Sequence, residues 1–185
     1  MAQSAANTVV PGRAFLYIGP VSTTAPADES AALAAGFVEM GFTKEDGTSF
    51  ATEPTFVEVK AHQSDFPIRK FLSDNKAKIT CRLLEWSTPT FKAVFGGGTV
   101  AQVAAGKFRY DPPAGTTDVV QAILDIADGA KKYRFVFPRV RSTEGTDISL
   151  SRTEPGELPL TLEVEGTGVG SAFYVLTNDP AFVVG

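Results

Sequence analysis

The sequence predicts a mainly β domain carrying one short α-helix, and three observations point to it. First, two segments alternate in character. In Phe56–His62, Val57, Val59 and Ala61 oppose Phe56, Glu58, Lys60 and His62; in Lys78–Glu85, Ile79, Cys81 and Leu83 oppose Lys78, Thr80, Arg82 and Leu84. A period of two sends neighbouring side chains to opposite faces of a sheet, one apolar and one mixed and charged. Second, further strand-like runs recur along the chain, punctuated by glycine, proline and aspartate turns. Third, one segment reads clearly as a helix. Thr88 stands as its N-cap and Pro89 at its first position, Phe91, Val94 and Phe95 follow at i, i+3 and i+4, and Gly96-Gly97-Gly98 ends it. About two turns of helix would cover one sheet face with these phenylalanines.

The elements follow in order. Residues 1–12 are small and polar and read as a flexible arm; residues 13–185 read as a single domain without a composition break. Arg13–Ile18 is a short strand closed by Gly19-Pro20, and Ser22–Ala27 is a loop. Asp28–Ala35 reads as a short helix, with Asp28 as N-cap and Gly36 just past its end. Phe37–Met40 is a strand flanked by glycines, and Thr43–Pro54 is a twelve-residue polar loop. Lys107–Tyr110 is a short strand broken by Asp111-Pro112-Pro113. Val119–Ala127 fits a helical stripe as well as a strand, and the Asp128-Gly129 turn ahead of another strong strand decides for strand. That next strand, Lys132–Val140, has Tyr133, Phe135 and Phe137 on one face. In the following one, Leu158, Leu160, Leu162 and Val164 alternate with Pro159, Thr161, Glu163 and Glu165, and Pro159 demands an edge or a strand start. Ala172–Leu176 and Phe182–Val184 finish the chain. Thr52-Glu53-Pro54 and Thr153-Glu154-Pro155 each precede an alternating strand, too short an echo to make a repeat.

Composition narrows the function. A chain of 185 residues buries roughly 70% of its unfolded surface, enough for a core without metal or disulfide help. With 43% hydrophobic and 21% charged residues it is globular, and a net charge of −4 argues against general attraction to nucleic acid or membranes. One cysteine makes no intrachain disulfide, and no basic-then-apolar leader or long apolar run occurs, so synthesis and folding in a cytoplasm are expected.

The search for chemistry finds no reactive cluster. His62 is the only histidine and ends a strand among small polar residues, which suits a surface side chain better than a triad member. Cys81 alternates with Ile79 and Leu83 and reads as a small buried residue. One histidine and one cysteine leave a zinc site too few ligands. The triple glycine follows a helix instead of opening one, so it stops the helix and does not cradle phosphate. Glu45-Asp46 and the pair Glu163 and Glu165 lack the aromatic cleft of a glycosidase, and Trp86 at the helix start is expected in the core. No catalytic, cofactor-binding or metal-ligating residue is therefore assigned, and the protein reads as a non-enzyme. Lys131, Lys132, Arg134, Arg139 and Arg141 cluster on one strand, and Glu154, Glu157, Glu163 and Glu165 surround the next. Antiparallel pairing of the two would cancel the charges through cross-strand salt bridges, against the sharper reading of a nucleic-acid patch.

Several segments carry a resemblance. Gly36–Gly47, the following Phe56-Val-Glu-Val, and Phe71–Leu84 resemble the major tail protein, or tail tube protein, of long-tailed, non-contractile bacteriophages. Lys132–Pro138, Ser151–Leu160 and Ala172–Thr177 are similar to the same family, particularly to members from phages of actinobacteria, so the likeness runs in order over roughly residues 10–178.

The resemblance implies a structural virion protein: a β-sandwich, partly joined between neighbours into a barrel, with one short α-helix packed on the sheet. Such proteins form stacked, usually hexameric rings around a tape-measure protein, meet tail-end proteins, and pass DNA without specific binding. No cofactor and no membrane contact are implied. Thr43–Pro54 would be the ring-stacking loop, with Lys44, Glu45, Asp46, Gly47, Phe50 and Glu53 as its contacts. Lys and Arg dominate phosphate binding, so an acidic or neutral lumen eases DNA passage; Glu39 and Glu58 are the lumen-facing candidates, with Lys60 on the same face as Glu58. Two other classes stay open. One is a tube or connector protein of a contractile tail or secretion system; the other is a monomeric β-sandwich binding module, which would group exposed aromatics on one surface.

Overall fold

The structure is a computed structural model that describes residues 7–145 and 147–182. Among the described residues, ten strands and one helix follow in the order β1 (Arg13–Pro20), β2 (Val38–Glu39), β3 (Ser49–Val59), β4 (Arg69–Leu83), α1 (Thr88–Val94), β5 (Thr99–Ala104), β6 (Lys107–Asp111), β7 (Val119–Asp128), β8 (Lys131–Ser142), β9 (Leu158–Val164) and β10 (Tyr174–Thr177). All pairings are antiparallel. The main sheet runs β2-β1-β7-β8-β9-β4-β3, with β10 also on β8, while β5 and β6 pair apart from it.

The sandwich arises at β8. One edge of β8 pairs with β7 along most of its length. On the other edge, Tyr133–Val136 pair with β10, whereas Val140–Ser142 pair with β9. The sheet forks there, and β9-β4-β3 folds over β1-β7-β8. Alternation supplies the facing surfaces. Leu16, Leu124, Phe137 and Val140 come from one layer and Ile79, Cys81, Leu83, Leu158, Leu160 and Leu162 from the other, all buried in one cluster. Phe50 of β3 closes the layers over Phe135 and Phe137, with ring centroids at 6.1 and 5.2 Å.

Helix α1 packs on β9 and plugs the side of the core with Val94. Its last turn is fixed by Ser142, whose hydroxyl donates to the Val94 carbonyl at 2.9 Å. Pro159 stands at the start of β9, on a locally free edge, as its missing N–H requires. The pairs of β8 with β9 stop at Ser142 opposite Leu162, so the first residues of β9 have no β8 neighbour to receive a proline N–H.

The structure corrects five expectations. Asp28–Ala35 forms no helix. The Asp28 carboxylate does accept from the Ser30 and Ala31 amides as an N-cap would. The Arg134 guanidinium, however, donates to the carbonyls of Asp28 and Ala31 at 2.9 and 2.8 Å, taking acceptors that a helix needs for its own ladder. The helix that does form is capped one residue earlier than expected: Ser87 and Thr90 make a reciprocal capping box, and Thr88 lies inside the first turn. The polar loop is shorter than Thr43–Pro54. Thr43 bridges to Leu83, Lys44–Gly47 is a turn closed by a 3.1 Å hydrogen bond, and Ser49–Pro54 already belong to β3. Trp86 is half exposed, its indole N–H donating to the Gly156 carbonyl at 3.0 Å. Strand β5 was not expected at all, because Thr99–Ala104 contributes nothing buried to the core. Phe182 lies in no strand, and the rest of the expected Phe182–Val184 strand lies outside the described residues.

Leu160 is fully buried between the layers, so Leu160→Ala should destabilise the fold by about 3 kcal/mol. Ser87→Ala, which removes only the cap, should cost about 1 kcal/mol. Urea unfolding of both variants checks the order; equal losses would mean that the core is not where Leu160 sits.

Candidate functional site

The hairpin of β3 and β4 is the feature that the core does not explain. Its register runs from Ser49 opposite Thr80 out to Val59 opposite Arg69, with Ser73 as an extra residue where the pairing shifts beside Phe56. Eleven residues of β3 span about 36 Å. Only its root is covered: Ala77, Ile79, Cys81 and Leu83 are buried, whereas every residue of β3 from Ala51 to Val59 and of β4 from Arg69 to Lys76 is exposed.

The exposed part is apolar on both faces. Directly opposed residues share a face, so Phe56 and Leu72 extend the face that begins at Phe50 and Ile79, while Val57 and Phe71 lie on the reverse. Phe56 is 56% exposed and Leu72 52%, and the connecting segment adds Phe66 at 79% and Ile68 at 62%. A two-stranded hairpin with both faces in water is marginal by itself, and grouped exposed apolar side chains mark an interaction surface. The unpaired edge of β3 adds open hydrogen-bonding groups to it.

Charge is arranged around these apolar residues. On the hairpin, Glu58 bonds Lys70 at 2.6 Å with Lys60 at 4.0 Å, and the Lys70 hydrogen bond holds the Glu58 carboxyl below its usual value. At the root, Glu157 receives Lys44 at 2.7 Å and Arg82 at 3.1 Å; the Lys44 bond chiefly lowers its pKa. Lys78 reaches Glu144 at 3.0 Å. These pairs tie the segment between β8 and β9 across the outer side of β4.

Beside the root lies an open cleft of about 950 Å³. Phe15, Ile126, Phe135 and Phe50 supply apolar walls, and the turn Thr43–Thr48 forms one side. Glu39, Glu45 and Glu85 stand on its rim, with Arg13 and Lys44.

The residues singled out in the sequence are thereby placed. Lys44 and Glu45 border the cleft, Asp46 is exposed, and the Gly47 amide closes the turn onto the Lys44 carbonyl. Phe50 lines the cleft but also packs on Phe173 at 4.9 Å, so its ring belongs to this chain's own core. Glu53 stands opposite Lys76 on the outer face of the hairpin. Glu39 and Glu58 lie on the two terminal strands of the main sheet, Glu39 opposite Tyr17. The structure does not bring these two together. His62 is exposed in the β3–β4 connection. Cys81 is fully buried, and desolvation pushes its thiol up to about 12.

The expected cancellation of the basic and acidic strands is present in part. Arg139 and Arg141 share Glu165 at 3.4 and 2.7 Å. Arg134 turns the other way and grips Asp125 of β7 with two bonds of 2.8 Å, and Lys131 goes to Asp179 at 3.1 Å. Sequence reasoning missed both the two-sided apolar hairpin and Asp179. The first had a signal in Phe66, Ile68, Phe71 and Leu72, which crowd a polar stretch without alternating cleanly. The second had none, because its side-chain partners Tyr133 and Lys131 lie more than forty residues away.

Residues 1–184 match a family model described as phage tail tube protein. No curated protein matches the chain.

Asp179 fastens the chain after β10. Its buried carboxylate accepts from the Tyr133 hydroxyl, the Ala181 amide and Lys131. The Tyr133 bond chiefly holds the Asp179 carboxyl below the ordinary 3.8 and, in return, pushes the Tyr133 phenol up to about 12. A lowered carboxyl stabilises the fold fully above the unfolded value and loses that stabilisation as pH falls through the lower folded value. A raised phenol stabilises it below 10.0 and loses the stabilisation as pH climbs towards about 12. Asp179→Asn should therefore lower stability at neutral pH and flatten its decline below about pH 4. Urea midpoints of both proteins across that range check this; parallel curves would remove Asp179 from the acid response.

Proposed function

Because this chain belongs to the phage tail tube protein family, we propose that its copies assemble into stacked, hexameric rings whose central channel conducts DNA during infection. The coarser statement needs no proposal: it is a structural tail tube protein, a component of the virion that assembles into a tube. The tape-measure protein would occupy the channel during assembly, and tail-end proteins would meet the terminal rings.

The observation that carries the reading is the β3–β4 hairpin, which extends past the core with Phe56, Leu72, Phe66 and Ile68 in water. A monomer gains nothing from exposing them, whereas a neighbouring copy would bury them and cover the β3 edge. The turn bearing Lys44, Glu45, Asp46 and Gly47, with Glu53 beyond it and Phe50 fixed beneath it, is proposed to take part in ring stacking.

The channel is proposed to face the outer side of β4, β9 and β8, away from α1. Lys78, Arg82, Arg139 and Arg141 on that side are each engaged by a glutamate, which leaves little free cationic charge for phosphates. Glu39 and Glu58, on the terminal strands, would reach the channel only where neighbouring copies meet.

Negative-stain microscopy of the purified protein, alone and with tape-measure protein, tests the class. Rings or tubes with a central channel are expected; a strict monomer under every condition would overturn it. Replacing Lys60–Ile68 by Asn-Gly keeps the Val59–Arg69 pair as a tight hairpin. That variant should unfold within a few degrees of the parent yet form at least tenfold less tube. Tubes at the parental yield would remove the hairpin from the assembly.

A further inference from the structure

Where β4, β9 and β8 lie side by side, their outer face carries more cations than its own strands can neutralise. Lys78 stands opposite Glu163, and Glu163 opposite Arg141, so charge alternates in a row across three strands. Arg82 and Arg139 share that face, at even spacing from Lys78 and Arg141 along their strands. Four cations therefore meet one strand carboxylate. Lys78 and Arg82 lie about 14 Å apart along β4, and Arg139 and Arg141 about 7 Å apart along β8. A DNA duplex carries one phosphate charge per about 1.7 Å of its axis, so several phosphates would reach such a face at once.

Three further glutamates, none of them within a strand, occupy these cations. Glu144 and Glu157 come from the connection between β8 and β9. Glu144 takes Lys78 at 3.0 Å; Glu157 takes Arg82 at 3.1 Å and Lys44 at 2.7 Å. Glu165, just past β9, holds Arg139 at 3.4 Å and Arg141 at 2.7 Å. A shallow cleft of about 350 Å³ between the connection and the strands is lined by Arg82, Glu144, Asp147 and Glu157. Each carboxylate oxygen sits on its cation as a phosphate oxygen would.

We propose that this face is a latent binding surface for the DNA phosphate backbone, kept silent because Glu144, Glu157 and Glu165 stand in for the phosphates. The inference rests on the tube reading and adds to it the residues that stop the conduit from holding what passes through it. Free cations would retain the backbone, whereas cations already engaged do not. The Lys78 bond holds the Glu144 carboxyl below its usual value and the Lys44 bond does the same for Glu157, so both stay charged in mild acid. Without the three glutamates, Lys44, Lys78, Arg82, Arg139 and Arg141 would meet only Glu163 and Asp147, with Glu53 and Lys76 opposed beside them.

Fluorescence anisotropy of a short labelled DNA duplex, titrated with soluble, unassembled protein, tests the assignment. Glu144→Gln, Glu157→Gln and Glu165→Gln together should bind at least tenfold more tightly than the parent. Three engaged phosphates would cost that variant about 40-fold in affinity between about 50 and 200 mM salt. Adding Lys78→Gln, Arg82→Gln and Arg139→Gln should abolish the gain. Glu29→Gln, Glu45→Gln and Asp65→Asn change the net charge equally elsewhere and should gain less than twofold. No gain from the first variant, a gain that outlives the cations, or an equal gain from the control would each overturn the assignment. These titrations need no polymer: a negative result leaves the tube reading standing, whereas a parent that never forms rings removes the conduit and not the charge contact. Circular dichroism at matched concentration confirms that the variants are folded.

Discussion

The hydrogen-bonding capacity of one strand organises this protein. An antiparallel strand has two edges, and β8 gives most of one of them to β7. It divides the other between β10 and β9, four residues to the first and three to the second. That division lets a single connected sheet become two layers without a break in the ladder. The layers face each other through Leu16, Phe137 and Val140 on one side and Cys81, Leu83, Leu160 and Leu162 on the other. Because β9 leaves β8 after three pairs, its first residues are free to include Pro159, and α1 packs beside it. The position of the exposed β3–β4 hairpin follows from where this fork sends β4 and β3.

Charge then separates what the chain settles internally from what it leaves outward. Arg134 is the clearest internal case. Its guanidinium holds Asp125 with two bonds and the carbonyls of Asp28 and Ala31 with two more, and it is almost fully buried. A buried guanidinium is tolerable only when its donors are satisfied, and here the satisfaction shapes an otherwise structureless segment. Glu157 similarly gathers Lys44 and Arg82 and pins the turn beside the cleft. Near the hairpin tip Glu58 gathers Lys70 and Lys60 in the same way, with the lysines more exposed.

Strand periodicity made most of the sheet legible in the sequence. The alternation at Ile79, Cys81 and Leu83 and at Leu158, Leu160 and Leu162 reports a face that must be buried, and those residues are the core. The helix at Pro89 was legible because caps and glycine stops are local chemistry. Asp28–Ala35 was misread for the complementary reason: its local signals favour a helix, and a side chain more than a hundred residues away overrides them. Thr43–Pro54 was misread because Ser49, Thr52 and Glu53 are polar residues in a strand whose outer face meets solvent, and polarity there looks like a loop. Phe50 was the one residue in that stretch announcing an inward face. The distal hairpin resisted reading because its exposed Phe56, Phe66, Ile68, Phe71 and Leu72 break the rule that apolar residues turn inward.

The bulge at Ser73 carries a consequence of its own. An extra residue on one strand adds twist and bend at a fixed point, and here that point lies between the covered root and the bare tip. The direction in which the tip leaves the body is thus written into the backbone as an angle, and the reach into strand length. In a tube of identical units, a per-subunit angle and reach accumulate as helical twist and axial rise. One inserted residue in β4 would then act as a setting for the handedness and pitch of an object many times larger than the chain that encodes it.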